Sequence, residues 1–269
     1  MHRIENPIEN SGEPEVYTLV ETLLARIQRA LGVRLVGFYL YGSLVTGDFD
    51  PGVSDVDLLA VVESPLREAE FRTLEAMHLA VLAAYPAWRE RIEIVYLPAR
   101  ALRAFRTESS PLAVISPGEP FNIKPAGIDW LMNWYLVRTM GQTLYGPPPA
   151  TLIDPIAQAE FLQAVREHAY GWPAWIEAMR DDCKYQAYGV LTMCRTAYSI
   201  RHGVHVSKRK AATWAAAEWP SWSPVIRRAL AWRVADRVDA DPAVSFEETR
   251  RFVDFAVAQV KVMAHDSQA

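Results

Sequence analysis

Cysteine is nearly absent from this chain: Cys183 and Cys194 are the only two in 269 residues. That excludes a disulfide scaffold and a cysteine-ligated zinc site. Both fall in sequence of helical character, where an ordinary buried thiol is expected. A basic excess is missing too. The formal net charge is −4, so the electrostatic footprint of a sequence-independent nucleic-acid binder is absent. A mildly acidic balance suits a small cationic substrate better. No apolar run approaches the ~20 residues needed to cross a bilayer. The opening MHRIENPIENSGEPE is polar and acidic, unlike a signal peptide, so no membrane association and a cytoplasmic location are expected. The glycine spacing matches neither the Walker nor the dinucleotide fingerprint, and Ser43 lies outside any nucleophile-elbow pattern. The six histidines are scattered, and His202 and His205, flanking Gly203, form no metal-ligand pattern.

What is present is concentrated near residue 50. A hydrophobic strand, residues 35–41, runs into Gly42-Ser43. After a short polar stretch, Ser54-Asp55-Val56-Asp57 opens a second strand over residues 55–62. Strand residues two apart share a face, so Asp55 and Asp57 project together while Val56 and Leu58 point into the core. Paired carboxylates are hard oxygen ligands of the kind Mg²⁺ takes together with substrate phosphates. A Gly-Ser turn offers backbone N–H groups and a hydroxyl to the same phosphates. The combination points to metal-assisted chemistry on a nucleoside triphosphate.

Glu93 adds a third acid. It sits between Ile92 and Ile94 in a short strand, residues 91–97, that follows the carboxylate strand through one helix and can pair beside it. There it would serve as a metal ligand or take the proton from an attacking hydroxyl. Lys208-Arg209-Lys210 follows Ser207 at a helix start, the wrong end for cations given the helix dipole. Triphosphate oxygens at that end would make the placement favourable, and Arg195 is positioned to join them. Trp172, Trp175, Asp181, Asp182, Tyr185 and Tyr188 mix rings with acids along helical sequence, a combination that suits a sugar or aminocyclitol bearing ammonium groups.

Along the chain, apolar residues from Val16 to Leu31 recur at helical spacing and stop at Gly32. Ser64-Pro65 reads as an N-cap with proline at the first helical position, opening a helix that ends before Tyr85-Pro86. A further helix is expected over residues 128–140. Tyr145-Gly146 followed by three prolines cannot continue a helix or inner strand, which divides the chain into domains 1–146 and 147–269. The second is expected to be all helical, with Ser207 capping one helix and Ser245-Phe246-Glu247-Glu248 forming a capping box for the last. The predicted class is α+β: a mixed sheet with flanking helices, then a helical bundle.

With those residues in view, the chain resembles the nucleotidyltransferase superfamily of the DNA polymerase β type, whose signature is Gly-Ser, a short gap and Asp-x-Asp. Within it, the chain is similar to the streptomycin/spectinomycin adenylyltransferases, which join a nucleotidyltransferase domain to a helical domain with ATP and drug between them. The resemblance implies phosphate binding by Gly42 and Ser43, a place for Ser54 in the nucleotide site, two Mg²⁺ ions on Asp55 and Asp57 with Glu93 beside them, and Glu93 as base. It implies that Asp129 lies near the nucleotide and that Arg195, in Leu-Thr-Met-Cys-Arg, and Lys208 contact ATP. For the acceptor it implies Asp181, with Tyr185 standing where the family keeps a second acid and Trp175 near a tryptophan position. The expected partners are ATP and a small cationic hydroxyl acceptor, without nucleic acid, in a monomer. The competing readings are nucleotidylation of a protein or tRNA, and a non-catalytic nucleotide-binding protein.

Overall fold

The computed structural model describes residues 14–235 and 237–266. The polar opening stretch, residues 1–13, lies outside them. The chain forms two compact units, one ending at Ile156 and the other beginning at Ala157; the proline run after Gly146 thus belongs to the end of the first.

The first unit is built on a six-stranded sheet. Its elements are α1 (Pro14–Leu31), β1 (Leu35–Tyr41), the single turn α2 (Ser43–Thr46), β2 (Val56–Val62), α3 (Glu68–Ala84), β3 (Ile92–Pro98) and α4 (Ala101–Ala104). They continue with β4 (Ser110–Ser116), β5 (Glu119–Ala126), α5 (Leu131–Met140) and β6 (Gln142–Tyr145). The strand order is β5-β4-β3-β2-β1-β6. Only β2 and β3 run parallel, joined through α3; the other neighbours are antiparallel. On one face Phe38, Leu40, Leu58, Ala60 and Ile94 pack against Leu19, Leu23 and Ile27 of α1 and Leu74 and Val81 of α3. The opposite face carries Leu59, Val61, Val95 and Leu97, also buried. Strands covered on both faces read as near-continuous apolar runs, and Asp57 and Glu93 are the polar interruptions in theirs.

The β4–β5 hairpin is poorly announced by sequence because Pro111, Pro120 and Pro125 interrupt it. Pro120 and Pro125 are tolerated because β5 is an edge strand, and Pro111 because it precedes the stretch of β4 that pairs with β3. Helix α3 begins at Glu68 rather than beside Ser64. The Arg34 guanidinium donates to Ser64 O, Ser64 Oγ and Pro65 O (2.9, 3.0 and 3.0 Å), holding those residues in the connection. Glu70 Oε2 instead accepts the Arg67 N–H at 2.7 Å and sets the helix start.

His78 of α3 is 2% exposed, its Nε2 bonded to Tyr96 Oη at 2.9 Å. Burial holds its pKa down to about 3. The unfolded chain takes up this proton near pH 6.5, so between pH 6.5 and about 3 only the unfolded state is charged there. Stability should therefore fall as pH drops through that window, by about 1.4 kcal/mol per pH unit from this group. Urea unfolding at pH 7 and pH 5 should show that component in the wild type and not in His78→Gln. Parallel losses in the two proteins would exclude His78 as its source.

The second unit comprises α6 (Gln158–Trp175), α7 (Cys183–His202), α8 (Lys208–Glu218), α9 (Ser223–Val234) and α10 (Pro242–Asp266). Helix α7 is central and packs on the other four. Its buried Gln186 donates to Arg180 O and Pro242 O and accepts from Ser245 Oγ and Thr249 Oγ1. This fully paired amide ties α7 to α10. It also takes Ser245 away from the expected capping box: the last helix starts at Pro242, one turn earlier, with Asp241 Oδ1 accepting the Ala243 N–H at 2.9 Å. Ser207 is the N-cap of α8 as expected, its Oγ accepting the Lys210 N–H at 3.1 Å. Both cysteines are free and buried. No helix among the described residues is long and apolar enough to cross a membrane.

Candidate active site

Strand register brings the site together. Tyr41 of β1 stands opposite Asp57 of β2, and Asp57 stands opposite Glu93 of β3. Laterally paired residues share a face, so a phenol and two carboxylates form a row across three strands. Tyr41 Oη donates to Glu93 Oε1 at 3.3 Å. Asp55 sits one residue ahead of β2, at the mouth of the row.

The residues around the row are shaped to hold it. Gly42 has φ 74° and ψ −148°, a conformation essentially reserved for glycine. A Cβ at this position would run into the Asp57 carboxylate. The chain then turns through α2, where Ser43 Oγ is buried and makes no hydrogen bond. The loop from Gly47 to Ser54 closes on itself: Asp50 N–H donates to Ser54 Oγ, and Ser54 N–H to Asp50 O, both at 2.9 Å. Arg91 Nε donates to Ser54 O at 2.8 Å while its guanidinium stacks 4.1 Å from the Trp88 ring centroid. Ser54, 4% exposed, is therefore a clasp behind the aspartates, its hydroxyl accepting a hydrogen bond inside the loop.

Electrostatically the acids of the row act on one another, with Lys124 acting on Glu93 in the opposite sense. Burial, and then the Asp55 charge, raise the Glu93 pKa to about 7, against a smaller lowering by the Tyr41 hydrogen bond. Burial and the neighbouring Glu93, Asp57 and Asp55 carboxylates push the Tyr41 phenol well above its ordinary range. Mg²⁺ fits this donor set: two hard carboxylates at the strand mouth, an orphaned buried hydroxyl opposite, and repulsion that a cation would relieve. Among the described residues no three His, Cys, Asp or Glu side chains converge as a preformed metal cage. An ion held by one or two carboxylates and completed by substrate phosphates needs no such cage.

The other expected site residues are placed as follows. Asp129 lies in the turn before α5, where its Oδ1 accepts the Gly127 N–H at 2.9 Å. In the second unit Arg195 and Lys208 both act on His205: burial first, then these two cations, hold its imidazole neutral with a pKa of about 3. Lys208 Nζ lies 4.1 Å from the Tyr188 ring centroid. Trp175 and Tyr185 are exposed by 46% and 57%. Asp182 caps α7, its Oδ1 accepting from the Lys184 and Tyr185 N–H groups, and leaves the adjacent exposed Asp181 outside that cap. Sequence reasoning missed Tyr41, Arg91 and the part played by His205. Tyr41 directly precedes the Gly-Ser pair, but its partner is fixed only by strand register.

Two family comparisons meet on this chain. The nucleotidyltransferase domain family matches residues 20–99, which include α2, β2 and β3 with all three acids. The aminoglycoside adenylyltransferase C-terminal domain family matches residues 151–259. The chain thus carries a nucleotidyltransferase domain within its first unit. Taken with the second match, it is an aminoglycoside adenylyltransferase-like enzyme. An aminoglycoside (3'') (9) adenylyltransferase from Escherichia coli is 29% identical over 266 residues, spanning 91% of this chain and 96% of that protein. One from Rhizobium radiobacter is 27% identical, over 91% and 94%. A spectinomycin adenyltransferase from Enterococcus faecialis, solved with ATP and spectinomycin, has the same fold: TM-score 0.73 at 17% identity, covering 91% of this chain and 99% of that one.

Proposed function

We propose that this enzyme transfers AMP from ATP to a hydroxyl group of a cationic aminoglycoside or aminocyclitol of the spectinomycin and streptomycin type. The observation that carries the chemistry is the register pairing of Asp57 with Glu93, with Asp55 beside them and Gly42-Ser43 closing the row. The acceptor class is supported by the relatives' activity and by the exposed rings and Asp181 of the second unit.

In the reaction, a bond forms between the acceptor oxygen and the α-phosphorus, the bond from that phosphorus to the β-phosphate bridging oxygen breaks, and pyrophosphate leaves. Asp55 and Asp57 would hold Mg²⁺, two ions in this reading, which would supply Lewis-acid charge to the phosphate oxygens. Ser43 Oγ and the Gly42-Ser43 backbone bind phosphate oxygens. Glu93 accepts the proton of the attacking hydroxyl, a task for a buried carboxylate whose basicity burial and the Asp55 charge raise. Tyr41 orients Glu93 through its hydrogen bond. Arg195 and Lys208 pair with the triphosphate, and Asp129 faces the nucleotide. Asp181 takes an ammonium group of the acceptor, with Tyr185 and Trp175 offering ring faces.

The test is mass spectrometry of spectinomycin and of streptomycin after incubation with enzyme, ATP and Mg²⁺. An added AMP on one or both, with release of pyrophosphate, is expected. ATP binding with no adduct on either drug would favour nucleotidylation of a macromolecule instead.

A further inference from the structure

We infer that Tyr188 is a positioning residue, whose ring face holds the Lys208 ammonium in place for the nucleotide phosphates. The inference rests on the assignment of Lys208 to the triphosphate. Lys208 is the first residue of α8, directly after the Ser207 cap. Two influences work against a cation there. The positive end of the helix dipole disfavours it, and Arg195 adds like charge, as both cations register at His205. A lysine stem is flexible and strongly hydrated, so its position depends on what the ammonium packs against.

Yet Lys208 Nζ stands over the Tyr188 ring, 4.1 Å from the centroid. The negative face of a π-system attracts an ammonium at this distance. The ring is itself fixed. Trp172, 2% exposed, lies 5.9 Å from it centroid to centroid at 40°. That indole can approach α7 because position 189 lacks a side chain: a Cβ on Gly189 would come within 2.8 Å of Ile176 and 3.1 Å of the Trp172 ring. A buried indole thus braces a half-exposed phenol, and the phenol steadies a cation that its helix and its neighbour both disfavour.

The decisive measurement is a double-mutant cycle on ATP affinity with Mg²⁺ present, by isothermal titration calorimetry. Tyr188→Leu should weaken ATP binding by about 3- to 30-fold. Tyr188→Phe, which keeps the ring face, should bind near wild type. The double variant Tyr188→Leu/Lys208→Met should bind no more weakly than Lys208→Met alone. If Lys208→Met weakens ATP binding but the Tyr188→Leu loss adds to it in full, or Phe fails to rescue, Tyr188 does not act through Lys208. If Lys208→Met binds ATP like wild type, the triphosphate assignment of Lys208 itself falls, and this inference with it.

Discussion

Replacing Glu93 with glutamine is expected to lower kcat by about 10²- to 10⁴-fold, the usual contribution of a positioned general base, while ATP still binds. Glutamine is nearly isosteric and can still accept the Tyr41 hydrogen bond, so the sheet and the row remain intact. What it lacks is a lone pair basic enough to take the hydroxyl proton. The wild-type carboxylate is prepared for that by burial and by Asp55, which together lift it to about 7. Single-turnover rates measured alongside equilibrium ATP titrations separate the possibilities. Loss of rate with retained affinity assigns the proton to Glu93. Parallel loss of both would place Glu93 in the metal shell with Asp55 and Asp57, and near-wild-type rates would remove it from the chemistry.

The sequence made the acids legible because each breaks a pattern. Asp57 interrupts VDLLAVV and Glu93 interrupts IEIVYLP, runs otherwise apolar because both sheet faces are covered. The Gly-Ser pair stood out because it ends a strand without a hairpin. Less local facts were hidden. Tyr41 resembles any core tyrosine until register sets it against Asp57, and register is a property of two strands. Arg91 looks like a surface charge, yet its bond to Ser54 spans 37 positions of sequence. The helix starts near Ser64 and Ser245 were misplaced for one shared reason. A serine with capping potential was claimed by a distant partner, Arg34 in one case and Gln186 in the other. Ser64 accepts from Arg34 and Ser245 donates to Gln186, so each is held by a partner that its local sequence does not contain. The prolines of β4 and β5 similarly masked a hairpin that is tolerable because β5 is an edge and Pro111 precedes the pairing of β4 with β3.

Gly42→Ala is expected to abolish most activity, whereas Gly47→Ala, five residues on, should leave it largely intact. Both glycines have positive φ, 74° and 71°, so each substitution carries backbone strain on the order of 1–3 kcal/mol. Both variants should therefore melt below the wild type. They differ in what the new methyl group meets. At Gly47 it finds no atom within 4 Å. At Gly42 it meets the Asp57 carboxylate, which must swing away or push the turn outward. Either movement displaces the Asp57 carboxylate from the row or shifts Ser43 away from it. A misplacement of about 1 Å in such a constellation costs roughly 10²-fold in rate. Melting temperatures and kcat for the pair give the comparison. Matched melting losses with activity lost only in Gly42→Ala would show that the glycine serves the carboxylate rather than the fold. Equal activity losses in both would mean that strain in the loop, not contact with Asp57, governs the site.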